Sequence, residues 1–137
     1  MITSRIRDCR LVNLPKIQTE SGDITPINNC IDIPFEIRRV YYLYDVPNRA
    51  DRGGHAHKDL YQLVVAISGS FDIELSDGFD RLKLTMNQPD QGLIIVPGIW
   101  RDLNNFSGGG ICLVLASHQY EEADYIREYQ QYLNYKA

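Results

Sequence analysis

Residues 71–84 constrain the fold more than any other stretch of the chain. Phe71, Ile73 and Leu75 are apolar, and Asp72, Glu74 and Ser76 between them are polar. A two-residue period sends the two sets to opposite faces of a strand, with one face in a core and the other in water. Asp77-Gly78 follows, a pair that favours hairpins because both residues tolerate positive φ. Leu82 and Leu84 resume the alternation on the return strand. The chain is therefore built on antiparallel strands.

The same reading extends along the sequence. Leu11–Leu14 and Ile24–Ile27 read as short strands around a turn at Ser21-Gly22-Asp23. Phe35–Tyr44, rich in Val, Ile and Tyr, reads as a longer strand, and Tyr61–Ile67 as another before the turn Ser68-Gly69. The short apolar runs Leu93–Val96 and Ile111–Ala116 read as central strands. Near the end the period changes: Tyr125, Tyr129 and Tyr132 recur at i, i+4 and i+7, with Asp124 placed as N-cap, which predicts an amphipathic helix over about 125–135. Many strands followed by one helix define an all-β class: a sandwich or jelly roll closed by a short C-terminal α-helix. The 137 residues hold no repeat or linker and read as a single domain.

Several function classes are disfavoured. The 14 basic against 18 acidic residues give a net charge of −4, which argues against a nucleic-acid polymer as partner. No apolar run approaches the ~20 residues of a membrane span, and the Arg-rich first ten residues have no signal-peptide core. Three cysteines, Cys9, Cys30 and Cys112, have no paired spacing, so the expected compartment is the reducing cytoplasm. Cys112, inside an apolar run, reads as a small core residue.

Chemistry concentrates in Arg52-Gly53-Gly54-His55-Ala56-His57-Lys58. Histidines two apart on a strand share a face. Imidazoles, with an ordinary pKa of ~6.5, can bind a metal or move protons near neutral pH. The glycines permit close backbone approach, and Arg52 can read a phosphate bidentately. A solvated pair in a loop is the plainer alternative.

The spacing of His55, His57, Gln62 and Gly69 resembles the first cupin motif, G-x5-H-x-H-x3–4-E-x6-G. Gly92, Pro97, Gly98 and Arg101, with Asn104 and Asn105 after them, resemble the second, G-x5-P-x-G-x2-H-x3-N. Metal cupins ligate through two His and a Glu of the first motif and a His of the second. Here Gln62 stands at the Glu position and Arg101 at the second-motif His position. A neutral amide and a cation are poor replacements for those ligands. His55 and His57 therefore read as acid–base groups, with no metal and no cofactor.

A closer resemblance covers about residues 10–133. It is carried by Ile33-Pro34-Phe35-Glu36-Ile37-Arg38-Arg39-Val40-Tyr41-Tyr42, the 52–58 segment, Gly92–Trp100, Leu113–Ser117 and Ala123-Asp124-Tyr125-Ile126-Arg127. Together these resemble the dTDP-4-keto-6-deoxyglucose 3,4-ketoisomerases, a family of sugar-nucleotide cupins. The resemblance implies a cupin jelly roll, a homodimer, a dTDP-linked 4-keto-6-deoxyhexose as substrate and no metal. It implies transfer of a ketone from C4 to C3 through an enediol, in the making of unusual deoxy and amino sugars for polysaccharides or glycosylated proteins. His55 matches the family's main base and His57 its acid–base partner. Arg52 is expected at the diphosphate or a sugar oxygen, and Lys58 and Gln62 as further substrate contacts. Tyr41 is expected at the pocket because alternation puts it on one face with Arg39, itself a phosphate-binding candidate. Tyr42 and Tyr44 take the other face.

Family members carry His or Arg after the Trp, associated with galacto and gluco products respectively. Arg101 favours gluco, since an always-charged guanidinium cannot deliver a proton. A second position that varies with product type falls at Ser21. Trp100 is expected at the pocket floor or on the base, and His118 at the surface. The competing readings are a dTDP-sugar epimerase on the same scaffold, a non-catalytic sugar-nucleotide-binding cupin, and a metal-dependent cupin oxygenase.

Overall fold

The computed structural model describes residues 3–137, and within the strands the surroundings of every residue except Gly53. Twelve strands and one helix follow in order. They are β1 (Arg10–Asn13), β2 (Ile17–Thr19), β3 (Gly22–Ile24), β4 (Arg39–Leu43), β5 (Arg52–His57), β6 (Gln62–Ser68) and β7 (Phe71–Ser76). Then come β8 (Arg81–Met86), β9 (Gln91–Ile95), β10 (Trp100–Asn104), β11 (Ile111–Ala116), β12 (Tyr125–Ile126) and α1 (Tyr129–Lys136). Two five-stranded antiparallel sheets, ordered β1-β9-β6-β11-β4 and β12-β5-β10-β7-β8, form the jelly-roll sandwich, and β2 pairs β3 in a separate hairpin.

Alternation builds the core. Val64 and Ala66 of β6, Leu93 and Ile95 of β9, and Cys112 and Val114 of β11 point inward. They meet Phe71, Ile73 and Leu75 of β7, with Leu103 of β10, across the gap between the sheets. Phe71 stacks on Phe106 with ring centroids 5.1 Å apart. The run Leu63–Ala66 is apolar at every position because β6 is covered on both sides. Leu63 and Val65 pack outward under Ile33, Phe35 and Leu14. The outer face of the other sheet is covered by α1, where Ala56, Trp100, Ile126 and Tyr132 form a third cluster. Burial pushes the Cys112 thiol up to about 12, as befits a core residue.

Several expectations change. Residues 35–38 are not strand: only Arg39–Leu43 pairs with β11, and Phe35 instead turns to cover β6. A loop braces this segment, with the Asn28 and Ile37 amides donating to the side chains of Asp32 and Asn29. The expected strand Ile24–Ile27 is replaced by the β2–β3 hairpin, whose Ile17 and Ile24 are exposed. Asp77-Gly78 does turn the chain, but through four residues, because Ser76 and Arg81 are the last pair. Asp77 Oδ1 accepts the Phe79 and Asp80 amides and fixes that loop. β10 carries no clear alternation signal, because its inward positions alternate Arg101 with Leu103.

The helix begins four residues later than its periodicity suggests. Tyr125 and Ile126 pair with His57 and Ala56 as an edge strand, so Tyr125 is extended and only Tyr129–Lys136 is helical. Asp124 is not the cap: Glu128 stands at that position, and the Asp124 carboxylate is engaged elsewhere. Gly69 shows a real glycine requirement. Its φ is +63°, and a Cβ there would lie 2.9 Å from Gly110 Cα.

Candidate active site

One end of the sandwich stays open between the sheets and holds a cavity of about 470 Å³. Arg39, Tyr41 and Leu43 of β4, with Gln62 and Val64 of β6, line it from one sheet. Arg52 and His55 of β5, Arg101 and Leu103 of β10, and Tyr125 line it from the other. Asp51, Tyr120 and Arg127 complete its wall. The alternation that places Val64 and Leu103 in the core also aims Gln62 and Arg101 inward, two residues earlier on each strand.

The histidines share a face as their spacing requires. Their Nε2 atoms are 3.1 Å apart, with the rings edge to face. They differ in access: His55 lines the cavity, whereas His57 is wholly buried behind it. His57 Nδ1 lies 2.9 Å from Asp124 Oδ2. The Tyr125 ring covers both imidazoles, with centroids 5.1 Å from His55 and 4.4 Å from His57.

Gln62 and Arg101 occupy the positions where the cupin pattern has two further metal ligands, and they bond to each other. Arg101 Nη1 donates to Gln62 Oε1, and Nη2 donates to the Ile99 carbonyl at 3.0 Å. Gln62 Nε2 donates to Tyr41 Oη at 3.2 Å and lies 3.5 Å from His57 Nε2. Arg101 is buried, and among the described residues its Nε has no hydrogen-bond partner. Desolvation lowers the pKa of this guanidinium, yet an arginine remains charged at neutral pH. A fixed cation beside two imidazoles that hydrogen-bond each other does not fit a divalent metal. Among the described residues, no three His, Cys, Asp or Glu side chains are grouped to hold one.

The cavity also carries Arg39, Arg52 and Arg127, suited to an anionic substrate. Arg39 Nη1 donates to Tyr125 Oη at 3.0 Å, and its guanidinium lies over the rings of Tyr41 and Tyr120. Arg127 pairs with Glu122 through two bonds of 2.7 and 2.9 Å. Burial pushes the Tyr41 phenol up, so it keeps its proton at neutral pH and can donate it.

The structure thus brings His55, Arg39, Tyr41, Arg52, Gln62 and Arg101 to one cavity and sets His57 behind it. Lys58 is not brought there: it sits exposed at a separate depression with Thr3, Ser4, Asp8 and Tyr61. After His57 the chain leaves the strand, so the lysine points off the sheet. Trp100 is not at the pocket floor. Its β10 position faces outward, where it packs on Tyr129 and Tyr132 and donates to Asp102. Ser21 is exposed in the β2–β3 turn, and His118 is exposed and bonded to Ser117 Oγ. Asp124, Tyr125, Tyr120 and Arg127 were not singled out as site residues from sequence. The signal for Asp124 and Tyr125 was present, but helical spacing captured both.

His57 is held neutral, well below the usual imidazole range. Burial is the main cause, followed by the charges of Arg101, His55, Arg39 and Arg127. The unfolded chain protonates this imidazole as pH falls through ~6.5 and the folded chain does not. The unfolded state then binds more protons, so this contribution is fully present above pH ~6.5 and is lost below it. One such proton costs up to about 1.4 kcal/mol per pH unit. Urea unfolding at pH 7 and pH 5 checks this. Wild-type stability should fall between them, with a shallower fall in His57→Asn; equal slopes would contradict it.

A jelly-roll sandwich with paired histidines and a substituted cupin ligand set places the chain in the cupin class, with an arginine-rich mouth suited to an anion. Residues 7–137 match the family described as FdtA: WxcM-like, C-terminal. The TDP-4-oxo-6-deoxy-alpha-D-glucose-3,4-oxoisomerase of Aneurinibacillus thermoaerophilus is 38% identical over 93% of this chain and 92% of its own length. The 3,4-ketoisomerase QdtA of Thermoanaerobacterium thermosaccharolyticum was solved as a His-to-Asn mutant with TDP-4-keto-6-deoxyglucose. It superposes with a TM-score of 0.94 at 38% identity, over 96% of both chains. The TDP-quinovose 3,4-ketoisomerase WlaRB of Campylobacter jejuni is 44% identical over 94% of this chain and 99% of its own, with a TM-score of 0.90. The chain belongs to the FdtA/WxcM-like family and is, like these relatives, an isomerase.

Proposed function

We propose that this chain is a metal-independent 3,4-ketoisomerase that converts dTDP-4-keto-6-deoxyglucose to dTDP-3-keto-6-deoxyglucose. The carrying observation is the His55–His57 pair, with one imidazole at the cavity and the other buried behind it. The C4 ketone acidifies the C3 proton. His55 removes it, an enediol forms, and C4 is reprotonated while a hydroxyl hydrogen passes from O3 to O4. The substrate is both oxidised at C3 and reduced at C4, so no redox cofactor is needed. Tyr41 and Gln62 face the sugar, and Arg39, Arg52 and Arg127 face the diphosphate. Arg101 supplies a buried cation for the oxygen that gains charge in the enediol. Metal independence rests on the replacement of two ligand positions by Gln62 and Arg101.

The gluco configuration is favoured by Arg101, which stays charged and delivers no proton. The 44% identity to an enzyme named for quinovose, 6-deoxyglucose, supports the same reading. Proton NMR of the product in situ tests it. A large H4–H5 coupling, from two axial protons, is expected; a small one means galacto.

The working form is a cytoplasmic homodimer in deoxysugar biosynthesis. Exposed Val40, Tyr42 and Tyr44 at the β4 edge, with Ile17 and Ile24 on the hairpin, offer apolar surface for a second copy. Sedimentation at twice 15.7 kDa is expected, and a monomer at working concentrations would contradict it.

A further inference from the structure

His57 meets different partners at its two ring nitrogens. Nδ1 lies 2.9 Å from Asp124 Oδ2, and Nε2 lies 3.1 Å from His55 Nε2 and 3.5 Å from Gln62 Nε2. An ionised carboxylate only accepts, so the hydrogen is on Nδ1. A neutral imidazole carries one N–H, so Nε2 presents a lone pair. His55 Nε2 is then the donor to it. A polarised line runs from the cavity wall inward: His55 N–H to His57, and His57 N–H to Asp124.

Asp124 is itself oriented from behind. Its Oδ1 accepts the Asp59 backbone N–H at 2.7 Å, and its backbone carbonyl accepts the Lys58 N–H at 3.0 Å. Its own N–H donates to the Glu121 carbonyl at 3.0 Å. The carboxylate is 12% exposed, so little water competes for it. The 3-10 turn Glu122–Asp124 and the β12–β5 pairing together carry this side chain under the ring.

On the ketoisomerase reading given above, we propose that Asp124 is the positioning residue of the proton transfer. It fixes His57 as the Nδ1–H tautomer, so that His57 Nε2 can share the proton His55 takes from substrate. When the C3–H bond breaks, its electron pair forms the enediol double bond and its proton enters the histidine pair. When the C4–H bond forms, C4 takes up one proton and the histidine pair gives one up, regaining its starting state. No electrons leave the substrate. The charged and titratable groups acting on His57 are Arg101, Arg39, Arg127, His55 and Asp124, with the Tyr125 ring packed against it. Three cations oppose a positive charge on the pair. Asp124 is the anion in contact with it, and so makes the transient imidazolium accessible.

The test is Asp124→Asn in the full chain. The Asp59 N–H still requires an acceptor, so the amide oxygen takes the Oδ1 place and the NH2 faces His57 Nδ1. That forces the hydrogen to Nε2, where it opposes the His55 N–H. Long-range proton–nitrogen NMR of the ring reads the tautomer directly. Expected are Nδ1–H in the wild type and Nε2–H in the variant. kcat should fall at least about 100-fold, with KM and dTDP affinity within about threefold and the acid limb of the kcat profile displaced. Wild-type His57 as Nε2–H, or a variant kcat within threefold of wild type, would overturn the proposal. If the variant does not fold, the wild-type tautomer alone decides. Failure of the ketoisomerase reading would be seen separately, as wild-type protein inactive on dTDP-4-keto-6-deoxyglucose.

Discussion

His55→Asn is expected to lower kcat by about a thousandfold or more while leaving the protein folded and able to bind dTDP. General acid–base groups commonly contribute ~10²–10⁴ in rate, and His55 stands at the upper part of that range for a structural reason. It is the imidazole that lines the cavity, whereas His57 is sealed behind it at 3.1 Å. Asparagine keeps polarity and a donor at this position but cannot hold a proton near neutral pH. Because His55 is only 8% exposed, the smaller side chain leaves a gap, but the surrounding strands pair through backbone bonds that do not change. Steady-state rates with equilibrium dTDP binding and a thermal melt separate the cases. Turnover at the wild-type rate would remove His55 from the mechanism; loss of folding and binding together would make its role structural.

Arg101→Met is expected to lower kcat by about 10²–10³-fold, the range for removing one preorganised charge-stabilising donor, without lowering the melting temperature. Arg101 is fully desolvated, bonds to a neutral amide and a carbonyl, and leaves Nε unsatisfied. A buried cation without a carboxylate partner is costly, and an apolar side chain of similar volume relieves that cost. The substitution strands Gln62 Oε1, which offsets part of the gain. Stability therefore holds or rises while activity drops. This opposition marks a residue kept for chemistry. A destabilised variant with normal kcat would mean that Arg101 is a structural brace instead.

The sandwich was legible because burial writes itself into period-2 patterns: β7 and β11 were placed within a residue, and the double-sided burial of β6 appears as an unbroken apolar run. The same rule fails where inward positions are polar. β10 carries Arg101 and Leu103 inward, so half of its core pattern is a charge. The shared face of the two histidines was legible from strand period, whereas Gln62 and Arg101 were marked by the resemblance to cupin ligand positions. Asp124 was not, because an aspartate ahead of tyrosines at helical spacing also fits a cap. Only the long-range pairing of β12 with β5, Tyr125 against His57, removes the ambiguity, and it brings Asp124 to His57 across 67 residues of sequence. Lys58 and Trp100 lie away from the cavity although they adjoin motif residues. Trp100 is one residue from Arg101 along β10 and so takes the opposite face, and Lys58 lies beyond the end of β5.

In the proposed function the histidine pair moves a ketone along the sugar. In situ NMR of dTDP-4-keto-6-deoxyglucose with the purified chain, treated with chelator, tests it most directly. Expected in H2O are loss of the H3 signal, appearance of an H4 signal coupled to H5, and a carbonyl carbon at C3 in place of C4. A ketone that stays at C4, whether with deuterium entering a neighbouring carbon in D2O or with no change at all, would contradict it.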